Sequence, residues 1–496
     1  MNASPSDAAF SVRPVLQFDL LHYRQPEYLR SLLTEAQNFD PELVSFRLHD
    51  DASPPAVQAK VKEIISFFPG LKAELHATNR GVLAMLEDCL AGSKSNYTYI
   101  GAGDDATCPA SIQYALRQLE AGETPLIVSD FYSLHAASGT SVFVEAIMPQ
   151  DWMGGAVILP EAMRCALKSG NEGVYIATHA AIAPTCGLVG AGGFPVEMKW
   201  HSDWFAFSVA ALRSGIRYTS VPIGCWRESS GGYSQAARSG SKAERDVLQQ
   251  IFSRLMTQEY ADVREIILSP KMTLMLDDIG RQTLLGVLSK RQYWTFLRLG
   301  HFKNALNEIF APWLVEEQWV GKLLYLLDRG WVVPFIQPLR QFLTRFFLVL
   351  SGARIGRKVS FGRGFRIREP RGLRIGNDVT IGAGVYICAL HPLTIGAGTR
   401  IGNNVRLESA NFSDKPGVKF FRRKSVIIGE GCTIGDGARI GPGGRVGAGE
   451  AVAAGSQIDN VESEPLFFRD ESDQIRVNHD VLRDHYGLNP DGSTVR

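Results

Sequence analysis

The chain runs to 496 residues, 45% hydrophobic and 21% charged, with a formal net charge of +1. That length calls for two or three domains, each with its own core, and the near-neutral balance excludes a general polyanion binder, so no nucleic-acid partner is expected. Seven Cys are scattered without a CxxC or other paired spacing, which fits reduced thiols in a cytosolic protein and excludes a disulfide framework or a zinc site built from them.

The opening residues, MNASPSDAAF, lack the basic and apolar layout of a signal peptide, and no apolar run approaches the ~20 residues that span a bilayer. The expected location is cytoplasmic, at most peripheral on the inner face of the membrane. From residue 10 to 235, strand and helix patterns alternate as in a doubly wound sheet. Strands are expected at 15–21, 43–48, 72–76 and 97–100, and helices at 26–37 and 82–90. The second strand ends at His49-Asp50-Asp51, the third runs into Asn79-Arg80-Gly81, and the fourth into Gly103-Asp104-Asp105. Ligands of open α/β sheets sit beyond the carboxyl ends of the strands, where Asp50, Asp51, Asn79, Arg80, Asp104 and Asp105 all fall. Carboxylates gathered there suit a ribose hydroxyl and a hard dication, Mn²⁺ or Mg²⁺, that bridges to substrate phosphates. A single DD pair is more often a helix cap, but two such pairs at strand ends favour the site.

The segments QFDLLHYRQPEYLRSLL, RLHDDASP, ATNRGVLAMLEDCL and YIGAGDDATCP resemble, in this order, the family 2 nucleotide-sugar glycosyltransferases of GT-A fold. The resemblance implies inverting transfer of a sugar from a nucleotide-diphosphate donor to a glycan or glycolipid acceptor. It assigns Asp50 or Asp51 to the nucleobase, Asp104 to the ribose, and Asp105 to the metal and diphosphate. Gly103 stands where many members carry a third acidic residue, which leaves the metal to Asp105. Farther on, GLVGAGGFPVEMKWHSDWFAFSVAALRSGIRYTSVP is similar to the family's acceptor-side segment, in which an acidic residue just before a helix is the catalytic base. That position holds Asp203, flanked by Trp200 and Trp204, whose faces suit sugars. A plain helix cap is the alternative for Asp203. Residues 223–234 look like the loop that closes over the diphosphate, with Arg227 as phosphate ligand and Tyr233 as lid residue.

Residues 241–352 read as a mostly helical connector. Its last stretch, 323–350, is apolar but broken by Asp328, Arg329, Pro334, Pro338, Arg340 and Arg345, and a cluster of arginines from Arg354 to Arg374 follows. Two readings stand side by side: contact with an anionic membrane surface, or a helix packed on the next domain with solvated arginines.

From Ile355 an aliphatic or aromatic residue recurs every six positions: Ile355, Phe361, Ile367, then Ile375, Ile381, Ile387, then Ile395, Ile401, Leu407, and after a break Ile428 to Ile458. Such a short period means a solenoid of three-sided coils, a left-handed parallel β-helix, with Gly at the corners and two residues added once per early coil. RIGNDVTIGAGVYI and VIIGEGCTIGDGARIGPGGRVGAGEAVAAGSQI resemble the hexapeptide-repeat acyltransferases, which implies a homotrimer and an acetyl-CoA site with a His base on a loop. The arm after Leu407, ESANFSDKPGVKFFRRKSV, holds Ser409, Ala410 and Asn411 at the positions matching that His. The only His of the repeat, His391, sits in the preceding corner with no loop to carry it to an acceptor, so it reads first as a His packed on or solvated beside the coil and second as the one candidate for an acetyl-transfer base. The arm is long enough to reach a neighbouring chain, and it carries Lys415, Lys419, Arg422, Arg423 and Lys424.

The expected plan is a GT-A (Rossmann-like) α/β domain at 1–240, a helical connector at 241–352, a β-helix at 353–460, and a polar tail at 461–496 without chemistry. The expected function is inverting glycosyl transfer in surface-polysaccharide or glycolipid assembly, with the β-helix holding a trimer. The alternatives are a bifunctional glycosyl- and O-acetyltransferase and a non-catalytic trimeric scaffold.

Overall fold

The structure, a computed structural model, describes residues 15–120, 122–169, 173–228, 242–268, 272, 333–413, 418–460 and 464–495. The expectations for Tyr233, for the connector at 273–332 and for Lys415 lie outside the described residues, while the connector's first stretch holds a helix, Lys242–Leu255.

Strands β1 (Leu16–His22), β2 (Val44–Asp50), β3 (Lys72–Leu75) and β4 (Tyr97–Ala102) pair in parallel in the order 3-2-1-4. Helices α1 (Pro26–Ala36), α2 (Pro55–Ser66) and α3 (Val82–Gly92) make the crossovers. Pro opens α1 and α2, where its missing N–H costs nothing and its fixed φ suits a first turn. β1 is buried along nearly its whole length, as a central strand covered on both faces must be. The sheet continues antiparallel through β10 (Ala181–Pro184) to β6 (Leu126–Ser129), β11 (Ile216–Thr219) and β9 (Val157–Ile158). Helices α4 (Pro109–Arg117), α5 (Pro160–Ser169), α6 (Thr185–Gly190) and α7 (Ser202–Ser214) complete this layer. Trp204 to Leu212 of α7 are all buried, so α7 is a core helix with no solvent face over that span.

A second sheet joins β5 (Ala106–Thr107), β12 (Gly224–Glu228), β7 (Phe131–His135) and β8 (Thr140–Val144). Two strands of the solenoid's arm extend it. Phe420–Arg423 lies parallel to β8, and Ala410–Phe412 pairs antiparallel beyond it. These two strands of the arm thus pair within the first domain of their own chain. β8 would otherwise be an open edge with unpaired backbone groups, and the arm satisfies them through Ser141 N–H to Lys419 O (2.9 Å) and Glu145 N–H to Arg423 O (3.0 Å). The alternation Phe-Phe-Arg-Arg buries Phe420 completely, its ring stacked 5.9 Å from that of Tyr132. The tail closes the same core: a hairpin (Phe467–Arg469 and Ile475–Val477) and a helix (His479–Asp484) add Leu466, Phe467 and Leu482.

The solenoid has three faces, each a five-stranded parallel sheet. Ile355 stacks on Ile375 and Ile375 on Ile395, twenty residues per coil, then Ile395 on Ile428 across the arm and Ile428 on Val446 in a coil of eighteen. The corners touch so closely that a Cβ at Gly356 would lie 2.3 Å from Gly376 O. Helix Val333–Leu350 covers the open first coil. Arg340 donates to Phe361 O (2.7 Å) and Gly362 O (3.0 Å), Arg345 to Gly356 O (2.6 Å), and Gln341 both donates to and accepts from Phe361. These side chains stand in for the missing coil above, so packing on the solenoid is what the helix does. Phe342 and Phe346 stack on one another on its exposed side. Among the described residues no helix is long and apolar enough to cross a membrane.

Phe420→Ala empties a fully buried site shared by three segments, and we expect it to lower the stability of the first domain by about 3–5 kcal/mol in denaturant unfolding. Phe412→Ala, at a ring 62% exposed, should change it by no more than ~0.5 kcal/mol.

Candidate functional site

The carboxyl ends of β1, β2 and β4 lie side by side, and the loops leaving them hold each other in place. Asp50, fully buried, accepts from Ser53 N–H (2.9 Å), the Ser53 hydroxyl (2.6 Å) and Gln58 Nε2 (3.1 Å), and its Oδ2 lies 2.8 Å from His22 Nδ1. Burial alone would raise this carboxyl, but those bonds outweigh it and hold Asp50 below the usual range. Asp51 ties the loop to the turn before α3, with Oδ1 accepting from Arg80 N–H and Oδ2 from Gly81 N–H, both at 2.8 Å. Asn79 Nδ2 donates to Asp51 O (2.8 Å), and the Arg80 guanidinium pairs with Asp88 on the exposed face of α3. These four residues therefore build the loop that faces the strand ends, with their side chains already bonded to it and to β1, α2 and α3.

Asp104 and Asp105 follow β4 in a tight turn, Asp105 N–H to Ala102 O (3.2 Å). Burial, then the adjacent Asp104 charge, push Asp105 well above the usual carboxylate range, against Arg227. Burial raises Asp104 as well. Two crowded, raised carboxylates are a pair that a hard dication would relieve, so the residues present fit Mn²⁺ or Mg²⁺. Gly103 has its own explanation: a Cβ there would lie 3.1 Å from Leu21 O and 3.2 Å from His22 Cδ2, so β1 leaves little room for a third acid.

Arg227 stands not in a loop but in β12, only 3% exposed. Its N–H donates to Asp105 Oδ1 (2.8 Å), its Nε to Asp104 O (3.1 Å) and its Nη2 to Asp473 O (3.1 Å), while the guanidinium lies 4.0 Å from the centre of the Tyr28 ring. The guanidinium thus braces the acidic pair against the C-terminal hairpin, while its buried Nη1 has no hydrogen-bond partner among the described residues. The strand forms because Cys225 and Arg227 point inward and pair with Tyr132 and Leu134 of β7. Two residues here escaped sequence reasoning. Asp473 lies in the tail and is joined to the site only by folding. His22 sits at the end of β1 beside Asp104, and its buried Nε2 has no hydrogen-bond partner among the described residues. A His closing the first strand of such a sheet was the available signal.

Asp203 is the second residue of α7, which begins one residue before it. Its Oδ1 accepts from Trp204 N–H (2.7 Å) and its Oδ2 from the Thr178 hydroxyl (2.9 Å). The short turn Thr178–Ala180 contacts both α7 and β12, which brings Asp203 towards the strand that carries Arg227. In that turn His179 faces Trp226, and burial lowers its ring to about 4.

His391 is not part of this group. It is 2% exposed, at the junction of the two domains, with Nε2 3.6 Å from Glu145 Oε2. Burial lowers the His391 ring, while the bonds from His391 and from Ser425 N–H (2.9 Å) overcome burial and keep Glu145 below its usual range. Ser409 is buried and bonds both His391 N–H (2.9 Å) and His391 O (2.8 Å), and Ala410 and Asn411 lie in the arm strand. This set does not fit an acyl-transfer base.

No protein-family profile matches the sequence, and no curated protein matches it. Solved structures similar to the N-terminal part include S. aureus TarS in complex with UDP-GlcNAc, at 14% identity over 59% of this chain and 80% of that one, TM-score 0.39. Another is the mannosyltransferase PcManGT from Pyrobaculum calidifontis with GDP-Man and Mn²⁺, at 14% identity over 68% and 86%, TM-score 0.36. The C-terminal part is similar to a hexapeptide-repeat acetyltransferase from Vibrio cholerae complexed with acetyl coenzyme A, at 22% identity over 28% and 73%, TM-score 0.24.

A proton competes with a cation for carboxylates whose affinity for protons is raised. Mn²⁺ should therefore raise the melting temperature more at about pH 8 than at about pH 5.5, and scanning fluorimetry of Asp105→Asn should show that rise diminished at both.

Proposed function

We propose that the first domain, with the arm and tail that complete it, is an inverting glycosyltransferase using a nucleotide-diphosphate sugar. The observation that carries the reading is the Asp104–Asp105 pair at the end of β4, both raised by burial and Asp105 also by the Asp104 charge, with Arg227 N–H bonded to Asp105. The loop of Asp50, Asp51, Asn79 and Arg80 would border the nucleobase, and Asp104 the ribose. Mn²⁺ or Mg²⁺ bound at Asp105 would supply charge compensation to the leaving diphosphate.

Asp203 is the proposed base. Its Oδ2 takes the proton of the acceptor hydroxyl, the freed oxygen electron pair attacks the anomeric carbon from the face opposite the diphosphate, and the anomeric C–O bond breaks with its electrons leaving on the nucleoside diphosphate. Thr178 orients that carboxylate by donating to Oδ2. The acceptor is a glycan or glycolipid in this proposal, and the β-helix serves to hold a homotrimer through its flat parallel faces. Acetyl transfer is not part of this proposal, because His391 is enclosed against Glu145.

A panel of nucleotide sugars with purified protein and Mn²⁺, scored by release of nucleoside diphosphate, tests the reading. Asp105→Ala should reduce turnover about a hundredfold or more, the scale of losing electrostatic stabilisation at a charge-developing centre. Full activity in EDTA would count against the metal.

Asp203→Asn separates base from cap. Transfer should fall by ~10² with donor binding intact, because Asn still accepts the Trp204 N–H but takes no proton. Near-wild-type transfer would leave Asp203 a helix cap. Light scattering should give three chains per particle, and a monomer would refute the assembly role.

A further inference from the structure

A second cluster lies two strands away from the acidic pair. His49 precedes Asp50 in β2, and Glu74 lies opposite it on β3, the edge strand of the sheet. His49 Nε2 is 2.9 Å from Asp19 Oδ1. An ionised carboxylate only accepts, so Nε2 carries the hydrogen, and in the neutral ring Nδ1 is then the lone-pair atom. That Nδ1 is 3.6 Å from Glu74 Oε2, a second lone-pair atom. Asp19 also accepts from Arg47 Nε (2.7 Å) and Nη2 (3.1 Å), so its charge is already matched by a guanidinium.

His76, just past β3, supplies a third donor. One ligand atom from each of His49, Glu74 and His76 lies within 4.8 Å of the other two. His76 Nε2 is enclosed and has no hydrogen-bond partner among the described residues. Its ring runs within 21° of parallel to that of His49, centroids 6.1 Å apart. With the ring neutral, two lone pairs facing each other at 3.6 Å repel unless a proton or a metal ion lies between them, and a tetrahedral ion with bonds of about 2.0–2.1 Å sets its ligands roughly 3.3–3.4 Å apart, close to that spacing. The carboxylate behind His49 is the outer-shell partner that metal-bound histidines regularly have, fixing tautomer and ring orientation.

We propose that His49, Glu74 and His76 bind a zinc-type dication (Zn²⁺, Co²⁺ or Ni²⁺), with the remaining position open to water beside Glu74, whose side chain is 57% exposed. Two imidazoles and one carboxylate favour such ions over Mg²⁺ or Mn²⁺, which the all-oxygen pair at Asp104 and Asp105 suits better. The ion clips the edge strand to β2 directly under the loop of Asp50, because His76 N–H already donates to Asp50 O (2.9 Å). The neighbouring Asp19–His49–Cys89 group offers less, since burial raises the Cys89 thiol far from ionisation. The site stands independently of glycosyl transfer.

The test uses the full chain, stripped with chelator and titrated with Co²⁺ by visible absorption and with Zn²⁺ by calorimetry. One equivalent should bind with the intense absorption of four-coordinate Co²⁺. Glu74→Gln and His76→Gln should each weaken binding about tenfold or more, and Asp105→Asn should leave it unchanged. Parent-like affinity in both ligand variants, loss in Asp105→Asn instead, or no four-coordinate signal in the parent chain would overturn the proposal. Glu74 is largely exposed, so Glu74→Gln keeps the fold and decides the matter even if His76→Gln does not.

Discussion

The open edge of β8 is the constraint on which the rest of this structure depends. A four-residue strand from the solenoid's arm covers it, and the arm's Phe420 enters the same core as Tyr132 and Phe467. Three distant stretches of chain therefore share one hydrophobic centre, and the second sheet is incomplete without the β-helix domain. The arm is here a structural strand of the second sheet. The tail follows the same logic, because its hairpin packs on β7 and β8 and delivers Asp473 to Arg227.

This arrangement links scaffold to site. Arg227 is held by the acidic turn on one side and by the hairpin on the other, so the geometry of Asp104 and Asp105 is coupled to the last thirty or so residues of the chain. The same crowding sets the acidity of the pair. Burial and like charge make the two carboxylates costly to ionise together, which is the condition under which a dication gains most by binding. Gly103 belongs to that economy of space, since β1 leaves little room for a side chain there.

His391 shows how a chemically suggestive residue is spent on assembly. It lies between the solenoid corner and Glu145, and Glu145 also receives the N–H of Ser425. Both groups are enclosed by the domain junction, so their pairing orients one domain on the other. A helix with two buried-facing arginines does comparable work at the first coil, where guanidinium groups take the place of the absent strand layer.

The sequence alone determined the local architecture. Hexad spacing set the solenoid coils to within a residue, because an aliphatic side chain every sixth position has only the axis to fill. Apolar runs ending in Asp50-Asp51 and Asp104-Asp105 located the strand ends of the α/β domain, because parallel strands place their loops on one edge. What the sequence could not carry was any contact between segments far apart in the chain. Arm and β8 are some 280 residues apart, Arg227 and Asp473 some 246, and neither pattern contains its partner. Residues 223–228 read as loop in isolation and became a strand because β7 was there to pair with. Only the tertiary structure decided that Asp50 bonds His22, Ser53 and Gln58, that Asp51 bonds the Arg80–Gly81 turn, that Arg227 braces the acidic pair, and that His49, Glu74 and His76 converge, since each depends on contacts that local periodicity does not specify.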